Sequence, residues 1–108
     1  MSTKEKYYNL KQLEKRVGPL TFAEFIRSWR LSEEMSQRDF ADLIGISPAN
    51  LCDIERGRKG VSPQKAAAIA KAIGYPRATL VEIAINDLLK EASLKLKVTV
   101  KEIQKKAS

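Results

Sequence analysis

The sequence predicts an all-α domain of five helices. Four helical stretches are each preceded by a serine or threonine, and in two of them a proline occupies the first helical position. Apolar residues recur at spacings of three and four within the stretches, and glycine follows several of them. At 108 residues, with 44% hydrophobic and 31% charged residues, the chain is expected to form a single small domain.

Three parts are predicted along the chain. Residues 1–20 form an N-terminal extension, in which YYNLKQLEKRV predicts a short helix that Gly18 and Pro19 end. Residues 21–93 form the helical domain. Residues 94–108 form a C-terminal strand followed by a basic tail.

The first helix of the domain begins with a capping box. Thr21 is followed three residues later by Glu24, so that each can satisfy a backbone N–H of the first turn. The apolar stripe that follows is expected in the core and consists of Phe22, Phe25, Ile26 and Trp29.

The next two helices are joined by a short turn that contains glycine. Ser36 caps the second helix, which turns Phe40, Leu43 and Ile44 inward. Gly45-Ile46-Ser47 forms the turn, and the third helix covers Pro48 to Arg56. Two helices joined in this way form a helix-turn-helix.

Ser62 and Pro63 start a fourth helix, which Gly74 ends. The fifth covers about Ala78 to Ser93, and its inward residues are expected to be Leu80, Ile83, Ala84 and Leu88.

The periodicity then changes. Apolar and polar residues alternate from residue 94 to residue 101, which predicts a β-strand whose apolar positions are Leu94, Leu96, Val98 and Val100. A lone strand is unstable in water. It is therefore expected to pair with the N-terminal segment, with a second copy of the chain or with another protein.

Several function classes are excluded by residue content. The chain has no histidine, a single cysteine and no glycine-rich phosphate-binding loop, so no enzyme activity, metal or cofactor is expected. The absence of a long apolar run and the single cysteine predict a cytoplasmic protein that does not bind membranes.

The charge favours a polyanionic partner. The formal net charge is +7, and residues 56–81 contain six basic residues and no acidic one. The alternative is that these residues only solubilise the surface.

The segments SQRDFADLIGIS and PANLCDIERG, with the proline-led fourth helix, resemble the lambda-repressor/Cro family of helix-turn-helix DNA-binding proteins, also called the XRE family. The resemblance covers about Phe22 to Ala84. It implies that the third helix is a recognition helix whose N-terminal part enters the major groove of DNA.

On this resemblance, the residues that contact bases are Pro48, Ala49, Asn50 and Asp53. Asn50 suits adenine, since its amide can bond N6 and N7, and the alternative is that it only caps or solvates the helix. Asp53 suits cytosine N4 or adenine N6. Alternatively it faces solvent or pairs with Arg56.

The resemblance also implies phosphate contacts and a structural ion pair. The pair joins Arg30 in the first helix to Glu55 in the third. The phosphate contacts are expected from Ser36, Gln37, Arg38, Ser47, Arg56, Arg58 and Lys59.

The function implied is that of a bacterial or phage-encoded transcription regulator, expected to repress by binding an inverted-repeat site in double-stranded DNA as a homodimer. No small-molecule ligand is expected. The alternative is the antitoxin of a toxin–antitoxin pair, which represses its own operon and holds a toxin through a terminal extension. In either case Leu94, Leu96, Val98 and Val100 are the expected dimer or partner contacts.

Overall fold

The computed structural model describes residues 20–103, and within them all regular secondary structure is helical. The five helices are α1 (Phe22–Ser32), α2 (Gln37–Ile44), α3 (Pro48–Glu55), α4 (Pro63–Ile73) and α5 (Arg77–Glu91). The prediction of a five-helix domain is therefore confirmed for this part of the chain, while the predicted N-terminal helix lies outside it. None of these helices is long and apolar enough to cross a membrane.

The helix ends are formed by the residues that the sequence indicated. Thr21 and Glu24 form the reciprocal capping box of α1. Before the next three helices, the hydroxyls of Ser36, Ser47 and Ser62 each accept the backbone N–H three residues on. Each cap satisfies a donor that has no partner within its helix.

The core is centred on the apolar face of α1. Phe25 contacts Tyr75 edge-on with ring centroids 5.0 Å apart, and Trp29 lies against Phe40 of α2 at 5.4 Å. Leu43 and Leu88, which were expected inward, are 44% and 43% exposed. Helical spacing alone misplaced these two leucines. The residues that α2 buries are Phe40 and Ala41, and α5 buries Leu80 and Ala84, of which only Ala41 was not expected inward.

Asp87 of α5 closes the N-terminus of α1. Its Oδ2 accepts the backbone N–H of Phe22 at 2.8 Å. Burial raises the pKa of this carboxyl above its ordinary value, although the hydrogen bond from Phe22 and the charge of Lys90 act in the opposite direction. The bond joins the beginning of the domain to its last helix.

The predicted C-terminal strand is wrong for the described residues. Residues 94–103, here called the C-terminal arm, contain no strand and turn back along α5. Asn86 donates from Nδ2 to the carbonyl of Val98 at 3.1 Å and accepts the N–H of Val98 at 2.8 Å. One side-chain amide thus supplies the donor and acceptor that a neighbouring strand would have supplied.

Two more contacts continue this pairing along the arm. Glu82 accepts the N–H of Val100 at 2.9 Å, and Arg77 and Glu102 form a salt bridge at 2.6 Å. Two residues of extended chain rise about 6.6 Å, close to the roughly 6 Å between helix positions four apart. Alternate residues of the arm therefore match successive turns of α5.

Candidate nucleic-acid interface

Helix α3 has a buried face and an outward face. Leu51, Ile54 and Glu55 are buried against the rest of the domain. Pro48 and Ala49 are exposed at the N-terminal tip of the helix. The tip of α3 therefore does not pack against the rest of the domain, and its exposed side chains are small.

The two polar residues predicted to contact bases, Asn50 and Asp53, are half-buried on α3. They lie about one turn apart. Ser47 accepts the backbone N–H of Asn50 at 3.1 Å, so the side chain of Asn50 takes no part in this helix cap.

The buried carboxylate of Glu55 holds α3 against α1. Arg30 donates from Nε to Oε2 at 2.7 Å and from Nη2 to Oε1 at 2.9 Å. The side chains are only 12% and 3% exposed. Hydrogen bonding to Glu55 raises the pKa of Arg30, so the guanidinium stays charged.

The same carboxylate also contacts α2. Gln37 donates from Nε2 to Oε1 of Glu55 at 3.1 Å, and Arg30 donates from Nη1 to the carbonyl of Met35 at 3.0 Å. One cluster of polar groups thus joins α1, α2 and α3. The sequence predicted the Arg30–Glu55 pair but missed this contact of Gln37, for which it offered only a phosphate contact.

The loop after α3 returns toward the outward face of that helix. Gly57 adopts a φ of 73°, and the N–H of Arg58 then bonds the carbonyl of Asp53 at 2.9 Å. The reversal places the Arg58 guanidinium 3.8 Å from the Asp53 carboxylate. The local partner of Asp53 is therefore Arg58, where the sequence had suggested Arg56.

Lys59 contacts the second polar residue of the outward face. Its Nζ donates to Oδ1 of Asn50 at 3.0 Å. Nothing in the sequence indicated this contact, because it depends on how Gly57 redirects the chain.

The remaining expected phosphate contacts divide into two kinds. Ser36 and Ser47 are helix caps whose hydroxyls accept backbone N–H groups. Arg38 and Arg56 are exposed and have no ion-pair partner within residues 20–103. Both guanidinium groups are thus available to an anionic ligand.

The four residues expected to contact a partner are not equivalent. Val98 and Val100 are half-buried, whereas Leu94 and Leu96 are 48% and 64% exposed. The hydrogen bonds that hold the arm all involve α5. The structure therefore does not bring these four residues together with the outward face of α3.

A family model described as "Helix-turn-helix" matches residues 26–80, about half of the chain. The chain belongs to the helix-turn-helix family. The resemblance to the lambda-repressor/Cro type is thereby confirmed, and family membership supports DNA binding and regulation of transcription.

Two solved structures resemble this helix-turn-helix chain. The clp gene regulator ClgR from Corynebacterium glutamicum is 29% identical, with a TM-score of 0.50 over 67% of this chain and 77% of that one. The hypothetical transcription factor NHTF from Neisseria is 23% identical, with a TM-score of 0.51 over 65% of this chain and 79% of that one, and shows likeness of fold. No curated protein matches the chain.

Proposed function

We propose that this helix-turn-helix protein is a transcription regulator that binds an inverted-repeat DNA site as a homodimer and represses by covering the site. The observation that carries the proposal is the outward face of α3. It is unpacked at its tip, it presents Asn50 and Asp53, and a basic loop flanks it. The major groove accommodates one α-helix presented in this way.

Contacts to phosphates would position this helix. Arg38 and Arg56 are exposed cations, and Arg58 and Lys59 lie beside the polar residues of α3. Such contacts give affinity that falls with salt and carries no sequence information. Backbone N–H groups at the start of α2 and α3 would assist.

Asp53 would contact bases in spite of its charge. A carboxylate in the groove is repelled by phosphates, but the Arg58 guanidinium 3.8 Å away offsets part of that repulsion. The carboxylate would then accept a hydrogen bond from cytosine N4.

The test is selection from a randomised pool of DNA duplexes at two salt concentrations. Wild type is expected to enrich a palindrome whose half-sites are about 34 Å apart. Asn50→Ala/Asp53→Ala should lose the enrichment and keep salt-dependent background binding. Thr79→Ala/Glu91→Ala, which removes similar side chains from the exposed surface of α5, is the control and should behave as wild type.

A wild-type protein that enriches no sequence would contradict the proposal. A non-palindromic site, bound by a protein that sediments as a monomer, would contradict the homodimer alone.

A second candidate function is that of an antitoxin. It is supported by the C-terminal arm, where Leu94 and Leu96 are exposed and only alternate backbone groups bond to α5. The other edge of the arm would accept an extended segment of a toxin. Co-expression with the product of an adjacent gene should give a one-to-one complex that Leu94→Asp/Leu96→Asp disrupts, and two proteins that elute separately would oppose this function.

A further inference from the structure

We propose that Lys59 determines base specificity by positioning Asn50 to bind guanine. This inference rests on the proposed DNA-binding function and assigns a base preference to its site. It replaces the adenine contact that the sequence suggested for Asn50.

The geometry begins with the amide of Asn50. An ammonium group has only donors, so the atom that Lys59 Nζ contacts at 3.0 Å must be the carbonyl oxygen Oδ1. The amide nitrogen Nδ2 has no hydrogen-bond partner within residues 20–103. The amide therefore offers both of its N–H donors, and one of the two lone pairs of Oδ1 is taken by the Lys59 ammonium.

The backbone keeps these two side chains close. Ser47 fixes the first turn of α3 through the N–H of Asn50, and Gly57 turns the chain back so that Arg58 bonds Asp53. Lys59 is the next residue, and its side chain reaches Asn50, which lies about one turn nearer the N-terminus of α3 than Asp53 does. The pairs Lys59–Asn50 and Arg58–Asp53 thus lie side by side.

The base edges in the major groove respond differently to this arrangement. Adenine needs an acceptor for its N6 amino group as well as a donor for N7, whereas guanine presents two acceptors, N7 and O6. Asn50 Nδ2 and Lys59 Nζ form a pair of donors that matches guanine. Adenine N6 would have to share Oδ1 with Lys59, and its amino group would face the Lys59 ammonium donor against donor, whereas guanine O6 accepts from that ammonium.

The competing role for Lys59 is a phosphate contact alone. In that role, removal of the Lys59 ammonium weakens binding to every sequence by a similar factor. It also makes the slope of log binding constant against log salt concentration shallower by about 0.9. A positioning role instead changes which base is preferred at one position of each half-site. The two roles therefore differ in base preference, which the affinity for a single DNA sequence does not report.

The experiment compares wild type, Lys59→Met, Lys59→Arg and Lys71→Met in the same randomised duplex pool. Methionine keeps the length of the side chain and removes its donors, arginine restores donors, and Lys71 is an exposed lysine on α4 that serves as the control. Binding of each variant to the selected site and to its guanine-to-adenine change is then titrated.

Wild type, Lys59→Arg and Lys71→Met should prefer guanine about tenfold at one position, within the range of a good bidentate contact. Lys59→Met should lose that preference or turn it toward adenine, since the second donor is removed and no ammonium then opposes the adenine amino group at Oδ1 of Asn50. In Asn50→Ala, the change Lys59→Met should alter the base preference by a smaller factor than it does in wild type, because the pair of donors is already incomplete.

An unchanged preference in Lys59→Met, with uniformly weaker binding, would overturn the inference and leave the proposed function intact. A wild-type protein that enriches adenine at this position would also overturn it. Failure of wild type to enrich any sequence would instead remove the proposed function on which the inference rests.

Discussion

At the scale of single residues, the Glu55 carboxylate links α3 to both α1 and α2. It accepts three hydrogen bonds from two other helices and is almost completely buried. Removing one partner of such a pair leaves an uncompensated charge.

Arg30→Ala is expected to lower the free energy of unfolding by about 3–5 kcal/mol for this reason. Urea denaturation measures it, and Arg27→Ala, an exposed arginine of the same helix, is the control, expected within about 0.5 kcal/mol of wild type. Equal effects of the two substitutions would show that the buried pair contributes nothing special.

Asp87 makes the stability of the domain depend on pH, and the raised pKa of its carboxyl sets the direction of that dependence. Because burial raises its folded pKa above the ordinary 3.8, the folded state binds the proton more tightly than the unfolded state does. The contribution of Asp87 to the free energy of unfolding therefore falls as the pH rises from the ordinary pKa through the pKa of the folded state. The substitution Asp87→Asn keeps an oxygen acceptor for the N–H of Phe22 and removes the charge.

The stability of Asp87→Asn relative to wild type should consequently increase between about pH 3 and about pH 6. Urea midpoints at the two pH values test this, with Asp42→Asn, the same change at an exposed position of α2, as the control. Parallel stability curves for wild type and Asp87→Asn would contradict the assignment.

At the scale of elements, the turn between α2 and α3 depends on the conformation of Gly45. Its φ is 75°, and a Cβ added there would meet nothing within 4 Å. A side chain at this position would not clash with neighbouring residues. It would lower the free energy of unfolding only because the left-handed backbone conformation is unfavourable for residues other than glycine.

Gly45→Ala should destabilise the domain by roughly 1–2 kcal/mol, the cost of the left-handed conformation. Gly60→Ala is the matched control, because Gly60 lies outside that conformation and its added Cβ would only touch Leu88 at 3.9 Å. Thermal or urea unfolding should separate the two variants, and equal stabilities would refute the explanation.

The elements that the sequence predicted well are those specified by local chemistry. Ser47 and Pro48 start α3 through a side-chain cap and a fixed φ, and Gly45 ends α2 without help from distant residues. The C-terminal arm was mispredicted because alternation indicates an extended chain but does not identify its partner. Here that partner is the side chain of Asn86, which lies on a helix.

The candidate site was predicted in the same uneven way. The outward position of Asn50 and Asp53 follows from helical spacing around Leu51 and Ile54. Their contacts with Lys59 and Arg58 depend on how the loop folds back, which no periodicity describes.

At the scale of the whole molecule, the C-terminal arm is joined to α5 mainly through three residues of that helix. The Arg77–Glu102 pair is exposed and is expected to contribute little, whereas Asn86 bonds both backbone groups of Val98. Asn86 is therefore expected to decide whether the arm stays attached.

Asn86→Ala should release the arm and leave the helical domain folded. Hydrogen exchange at the amides of Val98 and Val100 should accelerate by about tenfold or more, in line with the loss of about two hydrogen bonds. Lys90→Ala, an exposed residue one turn further along α5, is the control. Unchanged exchange at Val98 would show that other contacts hold the arm.

The separation of the two faces of α3 has a consequence for how such a protein changes its target. The residues that hold the helix in place, Leu51, Ile54 and Glu55, are chemically independent of the outward residues. Under the proposed function, exchanging Ala49 or Asp53 would therefore redirect the protein to a new DNA site without a loss of folding. Asn50 would have to change together with Lys59, because both side chains would contact the same base.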